Sequence, residues 1–490
     1  MRPYYTAEQV RDAEAPLLEA LPDGALMRRA AHGLARVIAA ELHERTGGVA
    51  ARSVLLLVGS GDNGGDALWA GALLRRRGVA VTAVLLAPDR THPAGSAALR
   101  RAGGRAVDVA EVDAALLDRV RPDLAVDGIV GISGQGPLRP AAAELVAALS
   151  VPIVAVDLPS GVDPDTGAVD GPAVQAAVTV TFGARKRVHV LAAPRCGRVD
   201  LVPLGLSLGP ADLVTLDASE VGQWWPVPGP GDDKYSQGVV GVVAGSDGYP
   251  GAGVLCTGAA VTATSGLVRY AGPSRAEVLA RWPEVIATPE VASAGRVQAW
   301  VVGPGAGTDD AAEDVLAEVL SSEVPVLVDA DGLTVVARRP DLVTGRAAPT
   351  VLTPHAGEFE RLTGTAPGPD RVGAVRALAR EWGVTLLLKG RATIIADPAG
   401  QTFVNEAGGS WSSTAGAGDV LSGVVGALLA AGIPPARAAA MGARVHSLAA
   451  NLAAHGGMSG VTDGAGRAPI SAGDLLSHLR EAVRVVRATR

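Results

Sequence analysis

Two glycine-rich segments place acids where an open α/β sheet presents them to a ligand. The first is GSGDNGGDA, Gly59 to Ala67, which follows the apolar run SVLLLV. Glycines in such a turn let the backbone approach a phosphate, and a helix N-terminus beyond it offers amide donors and partial positive charge. The letters satisfy G-x-G-x-x-G through Gly59, Gly61 and Gly64, a pattern that a tight structural turn also produces. A plain dinucleotide fold does not need Asp62, Asn63 and Asp66 there. Those side chains suit a polar ligand or a cation held by oxygen. Asp127 in LAVDGIVGISGQGP and Asp157 in VAVDLPSG each close another apolar run. An Asp in that position can simply cap the next turn. Partly desolvated, it can instead exchange protons near neutrality.

The second segment is STAGAGDVLSG, in which Gly416 and Gly418 lead into a long helix with Asp419 in its first turn. Exposed amides and the helix dipole make an anion cradle. LLLKGRATI ends a run at Lys389 and Gly390, where an ammonium meets phosphate oxygens. LTPHAGEFERL supplies His355, and VVGPGAG and VDADG add glycines with Asp329 and Asp331. Helix capping is the plain alternative for Asp419, and a satisfied turn histidine for His355. A helix N-terminus favours ionised Asp419 by about 0.3–1 kcal/mol. A phosphate charge ~4 Å away opposes it by about 4 kcal/mol at an effective dielectric near 20. The expectation is that Asp419 becomes a competent base once a nucleotide is seated.

These residues need two α/β scaffolds. Apolar runs at Ser53–Gly59, Val79–Ala87, Leu124–Gly128, Val151–Asp157 and Ala176–Gly183 alternate with amphipathic stretches, which predicts a Rossmann-like, largely parallel sheet covered on both faces. Helix is expected from Thr6 to about His43 and from about Asp66 to Arg77. Around Leu206 to Asp233 the period lapses into Pro and Gly, giving a linker placed at 213–223 between a first domain, 1–212, and a second, 224–490. Alternation then restarts and ends in long helices from about Asp419.

At 490 residues the chain exceeds one ordinary core. A formal charge of −7 argues against a broad nucleic-acid or anionic-membrane surface. Cys196 and Cys256 lack a metal-ligand spacing and fit a reducing compartment. The N-terminus has no apolar signal core, and no uninterrupted apolar stretch reaches the ~18 residues of a membrane span, so a cytoplasmic enzyme is expected. Of 43 basic residues just Lys186, Lys234 and Lys389 are lysines. A lysine retained in so arginine-rich a chain points to a need for a compact ammonium.

The motifs GSGDNGGDA, DGIVGISGQGP, VAVDLPSG and TFGARK, in that order, resemble the NAD(P)H-hydrate epimerase family over residues 1–212. KYSQGVVGVVAGS, GYPGAGV, VVGPGAG, LTPHAGEFERLTG, LLLKGRAT and TAGAGDVLSG resemble the ADP- or ATP-dependent NAD(P)H-hydrate dehydratases of the ribokinase-like superfamily over 224–490. The first resemblance implies that Asp62, Asn63, Gly64, Gly65 and Asp66 bind the hydrated coenzyme together with Gly131, Ile132, Ser133, Gly134, Gln135, Gly136 and Pro137. It also implies that Asp157 is the substrate-contacting acid-base residue and that Asn63, Asp127 and Ser160 hold a potassium ion. The second implies nucleotide contacts at Lys389, Gly390, Arg391, Ala392, Thr393 and Gly418. It implies substrate contacts at Ala252, Gly305, His355 and Asp419, with Asp419 catalytic and magnesium accompanying ADP or ATP. Small-molecule partners (NADHX, NADPHX and the nucleotide) and a homo-oligomer follow, with no nucleic-acid or membrane partner. Asp62 stands where the family has Asn and Ala67 where it has Gly, and an extra carboxylate beside a pyrophosphate is unfavourable. EAGGSWSSTAGAGD and DADGLT depart from the dehydratase pattern near the nucleotide. The alternative is a small-alcohol kinase fused to a non-catalytic dinucleotide-binding module.

Overall fold

The computed structural model describes residues 1–134, 136–462 and 466–489. The chain divides into two compact units, Pro3–Asp212 and Leu213 onward, the latter including Met1–Arg2. A short strand, β1 (Arg2–Tyr4), begins the chain. The first unit is then built on β2 (Ser53–Val58), β3 (Ala80–Leu85), β4 (Arg105–Asp108), β5 (Leu124–Gly128), β6 (Ile153–Val156), β7 (Val178–Phe182) and β8 (Arg198–Val202). Their order is β4-β3-β2-β5-β6-β7-β8, every pairing parallel. The inner strands are buried along nearly their whole length, as continuous Val/Leu runs require when helices cover both faces. Register pairs Val58 with Gly128 and Asp127 with Ala155, so Gly59, Asp127 and Asp157 emerge at one edge. Because β2 lies between β3 and β5, the chains leaving β2 and β5 part there, and such a switch point opens a crevice.

Two local expectations are corrected. The helix after β2 begins at Asp62, not Asp66, so DNGGD is its first turn instead of a loop. The N-terminal helix is two helices, Ala7–Ala20 and Ala25–Thr46. Thr6 and Gln9 form a capping box on the first, while Pro22 and Gly24, at φ 67°, interrupt the run.

The second unit is α/β as well, with β9 (Leu213–Thr215), β10 (Val239–Val243), β11 (Leu267–Ala271), β12 (Ile286–Thr288), β13 (Ala299–Val302), β14 (Val326–Val328), β15 (Thr350–Leu352), β16 (Thr385–Leu388), β17 (Ala392–Ala396) and β18 (Thr402–Glu406). The sheet runs β1-β9-β18-β17-β16-β15-β14-β13-β10-β11-β12. It is parallel from β12 to β16, and β17 is antiparallel to both its neighbours. Its switch point falls between β10 and β13. The expected linker at 213–223 is instead β9 followed by a helix, Ala218–Trp224. Leu213, Val221 and Trp225 are buried in this unit's core, and Asp217 caps the helix through Glu220 N, signals too short to register as a period.

The helix Ala417–Ala430 is buried nearly all round. A Cβ on Gly423 would lie 2.1 Å from Cys256 O, and one on Gly426 2.0 Å from Val301 Cγ2. These approaches seat the helix on β13 and on the helix Pro250–Ala263, and so fix Asp419. Among the described residues no helix is long and apolar enough to cross a membrane.

Candidate functional site

The switch point of the first unit opens into a cavity of about 720 Å3. Asp62, Asn63, Asp66, Gly131, Ile132, Ser133, Gly134 and Asp157 line it, joined by Glu14 and Arg11 from the first helix. Gly64 and Gly65 are not in the lining. A Cβ on Gly64 would collide with Gly59 O, and one on Gly65 with Met27 and His92, so both serve close packing. Gly136 and Pro137 also lie outside the lining, and Gln135 lies outside the described residues.

Asp157 stands at φ 69°, one of four non-glycine residues with positive φ among those described. Strain of this kind persists only where surrounding contacts over-determine it. Here they do. Oδ1 receives Lys186 Nζ at 2.5 Å, Thr181 Oγ1 at 3.0 Å and Phe182 N at 3.3 Å. His189 accepts the Lys186 amide at Nδ1, so its Nε2 is the donor to Asp157 O at 2.8 Å. Burial, then the Lys186 charge, lowers His189 to about 4, keeping it neutral. Lys186 is 1 % exposed, and the ion pair leaves Oδ2 for the cavity. Burial lifts two neighbouring carboxyls, Asp127 and Asp66. Asp127, fully buried, is raised to about 6 despite accepting from Ser160 Oγ and N and from Ile129 N. Asp66 is raised well above the usual range, by burial first and then by Asp157, Asp62 and Glu14.

Asn63 and Ser160 both bond the Val130 backbone, and Ser160 bonds Asp127. Asn63 Nδ2 reaches Val130 O and Val156 O at 3.0 and 2.6 Å, and Ser160 Oγ donates to Asp127 Oδ1 at 2.7 Å. Among the described residues no group of three or more His, Cys, Asp or Glu is placed to hold a metal. A weakly charged cation held by one carboxylate and neutral oxygens nevertheless fits a buried Asp127, whose charge it would offset.

In the second unit, Asp329 organises the site. Its Oδ1 takes Lys389 Nζ at 2.7 Å and its Oδ2 takes Ser422 Oγ at 2.7 Å, tying β14 and β16 to the helix that carries Asp419. Lys389 also meets Glu358 at 3.3 Å. Burial works against its ammonium, but Asp329 and Glu358 outweigh it and its pKa is raised. Asp419 is raised to about 7, by burial first and then by Asp329, with Lys389 opposing. Burial and Asp329 thus lift the Asp419 carboxyl before any phosphate charge is counted. Ala330, between Asp329 and Asp331, is strained at φ 51°.

A cavity of about 260 Å3 lies beside this cluster, lined by His355, Lys389, Gly390, Arg391, Thr393 and Gly418 among others. Ala392 is buried in β17 instead, and Arg391 pairs with Glu406 at 3.0 Å. His355 caps the helix Ala356–Thr363, its Nδ1 accepting from Gly357 N and Glu358 N, and its Nε2 lies 3.5 Å from Glu358 Oε1 on an exposed side chain. Ala252 and Gly305 meet at the switch point, where a Cβ on Gly305 would be 2.8 Å from Ala252 Cβ. They lie outside the small cavity, Ala252 on the same helix as Cys256, whose thiol is raised by burial first and then by Asp419 and Asp329.

Residues 23–188 match the family model of the YjeF-related protein N-terminus, and residues 240–463 match that of NAD(P)H-hydrate dehydratase. The bifunctional NAD(P)H-hydrate repair enzyme Nnr of Mycobacterium tuberculosis is 63% identical over 90% of this chain and 92% of its own length. That of Mycobacterium leprae is 60% identical over 99% of both. The chain belongs to this family of bifunctional NAD(P)H-hydrate repair enzymes. Among solved structures, the ADP/ATP-dependent NAD(P)H-hydrate dehydratase of Bacillus subtilis, co-crystallised with ATP and Mg2+, is 22% identical at a TM-score of 0.48, covering 56% of this chain and 98% of that one.

Against this family background, several working groups escaped the sequence reading. Lys186 stood out as a retained lysine, but its partner Asp157 is 29 residues away and became visible with the fold. Glu358, Ser422 and His189 carry no sequence signal distinct from ordinary surface or helix residues. Ala67, in place of glycine, fits: it is fully buried, against the face left free by Gly128.

Proposed function

We propose that the first unit interconverts the R and S epimers of hydrated NADH and NADPH, and that the second dehydrates the S epimer at the expense of ADP or ATP. With ADP the products are NAD(P)H, AMP and phosphate. The observation that carries this reading is Asp419, in the first turn of a buried helix directly after Gly416–Gly418, where burial and Asp329 raise its carboxyl to about 7 against the pull of Lys389.

Hydroxide is a poor leaving group. Asp419 takes the proton of the C6 hydroxyl as its oxygen attacks the terminal phosphorus, and the nucleotide departs shortened by one phosphate. Lys389 and the amides at Gly418 meet the charge on the transferring group, with Asp329 and Glu358 holding the ammonium in place. Loss of a C5 proton and of the C6 phosphate then restores the ring double bond. Magnesium accompanying the nucleotide would neutralise part of the phosphate charge. In the first unit, Asp157 exchanges a proton while the ring oxygen leaves and returns, its orientation fixed by Lys186 and Thr181. Asn63, Asp127 and Ser160 would hold potassium, which supplies a fixed positive charge beside the substrate loop Gly131–Gly134. Two buried free cysteines suit a cytoplasmic setting, and homo-oligomeric assembly belongs to the same reading.

The test is purified protein with mixed NADH-hydrate epimers and ADP or ATP, followed at the near-UV absorbance of NADH. Full recovery supports both activities. Stalling near half leaves the dehydratase alone, and a phosphorylated product without NADH would mark a plain kinase.

A further inference from the structure

We propose that Asp66 is the catalytic acid of the epimerase site, delivering the proton that lets the ring oxygen depart as water while Asp157 serves as its complementary base. This rests on the epimerase reading of the first unit and assigns a role that goes beyond coenzyme contact.

Four observations carry it. Asp66 is 6 % exposed and lines the 720 Å3 cavity. Its Oδ1 is sealed from solvent with no hydrogen-bond partner among the described residues. A carboxylate left so would forfeit the solvation of its charge, whereas a neutral carboxyl loses far less. Its other oxygen is the one left to open on the cavity. The charges around it oppose ionisation, since Asp157, Asp62 and Glu14 all face it as acids, and the cavity's basic groups are Arg11 and the ring of His92. The buried ammonium in this region, Lys186, is committed to Asp157, together with Thr181 and the Phe182 amide. Two carboxyls on one cavity therefore have opposite environments, one in an ion pair and one desolvated among acids. That division is how a site assigns base and acid.

The chemistry balances. Asp66 gives its proton to the C6 oxygen, the C6–O bond breaks, water leaves, and the N1 lone pair forms the N1=C6 iminium. Water adds to C6 from the opposite face, its oxygen supplying the new bond, and Asp157 Oδ2 takes the released proton. Solvent resets the two carboxyls, and in the reverse sense the same groups act again.

The test uses the full chain with purified R hydrate. Wild type is expected to incorporate 18O from labelled water in step with epimerisation and to lose rate on an alkaline limb as Asp66 ionises. Asp66→Asn keeps the shape and a donor but has no proton to transfer. It should slow exchange about 10²–10⁴-fold and abolish the alkaline limb, while dehydration of separately supplied S hydrate by the second unit stays at wild-type rate. Glu in its place should recover part of the rate. An Asp66→Asn enzyme that epimerises at wild-type speed, or a wild type that epimerises without 18O uptake, overturns the assignment. The wild-type isotope and pH measurements decide even if the variant unfolds the first unit. A wild type that fails to epimerise at all would instead overturn the reading of the unit.

Discussion

Replacing Asp419 by Asn should make the second unit more stable and almost inactive, in a pH-dependent way that separates charge from shape. The folded protein raises this carboxyl from the usual 3.8 to about 7, burial being the first cause and Asp329 the second. At 1.36 kcal/mol per pH unit, ionising it in the fold above pH 7 costs about 4 kcal/mol. The side chain is only partly buried and Lys389 lies nearby, so screening reduces this to about 2 kcal/mol. The direction follows from linkage. A raised folded pKa contributes stability that is complete below 3.8 and is lost as pH rises through about 7. Asn does not titrate, so the two proteins should coincide near pH 4 and diverge through neutrality, with the variant about 2 kcal/mol ahead at pH 8. Urea unfolding followed by tryptophan fluorescence reads this well, because every tryptophan except Trp69 lies in the second unit. Dehydratase turnover should fall about 10²–10⁴-fold with loss of a general base. Equal stability from pH 5 to 8, or a wild type ahead at pH 8, would refute the desolvated-base argument.

Lys186→Met should strand Asp157 without its cation and destabilise the first unit by about 3–5 kcal/mol, and Arg should rescue poorly in a site shaped around one ammonium; unfolding curves and epimer exchange check both. His355→Ala should cost about 1 kcal/mol through the lost helix cap, whereas Asn restores the cap without restoring dehydratase KM, a split that reads the ligand role of Nε2. Potassium stimulation of the epimerase should fade as pH drops through about 6, because Asp127 protonates there and a neutral carboxyl holds a cation weakly; titrating KCl at pH 5.5 and 7.5 measures it, and equal potassium affinity at both would contradict the site.

The sequence by itself determined the two α/β units, the strand ends at Asp127 and Asp157, and the Gly-rich entry to the late helix. These are local facts: apolar runs of strand length, and glycines where a helix must begin close to a ligand. It misjudged 213–223 because three anchors, Leu213, Val221 and Trp225, suffice to seat a short strand and helix without any period. Tertiary structure alone decided the protonation pattern. Asp66, Asp127, Asp157 and Asp419 are the same residue type, each at or near a strand or helix end. One is paired with a lysine from a distant loop, one is sealed among other acids, one is bound to a serine hydroxyl, and one is partly buried beside Asp329. A carboxyl's readiness to give or take a proton depends on its solvation and on charges brought near it by chain folding, and neither quantity is written in the spacing of residues along the chain.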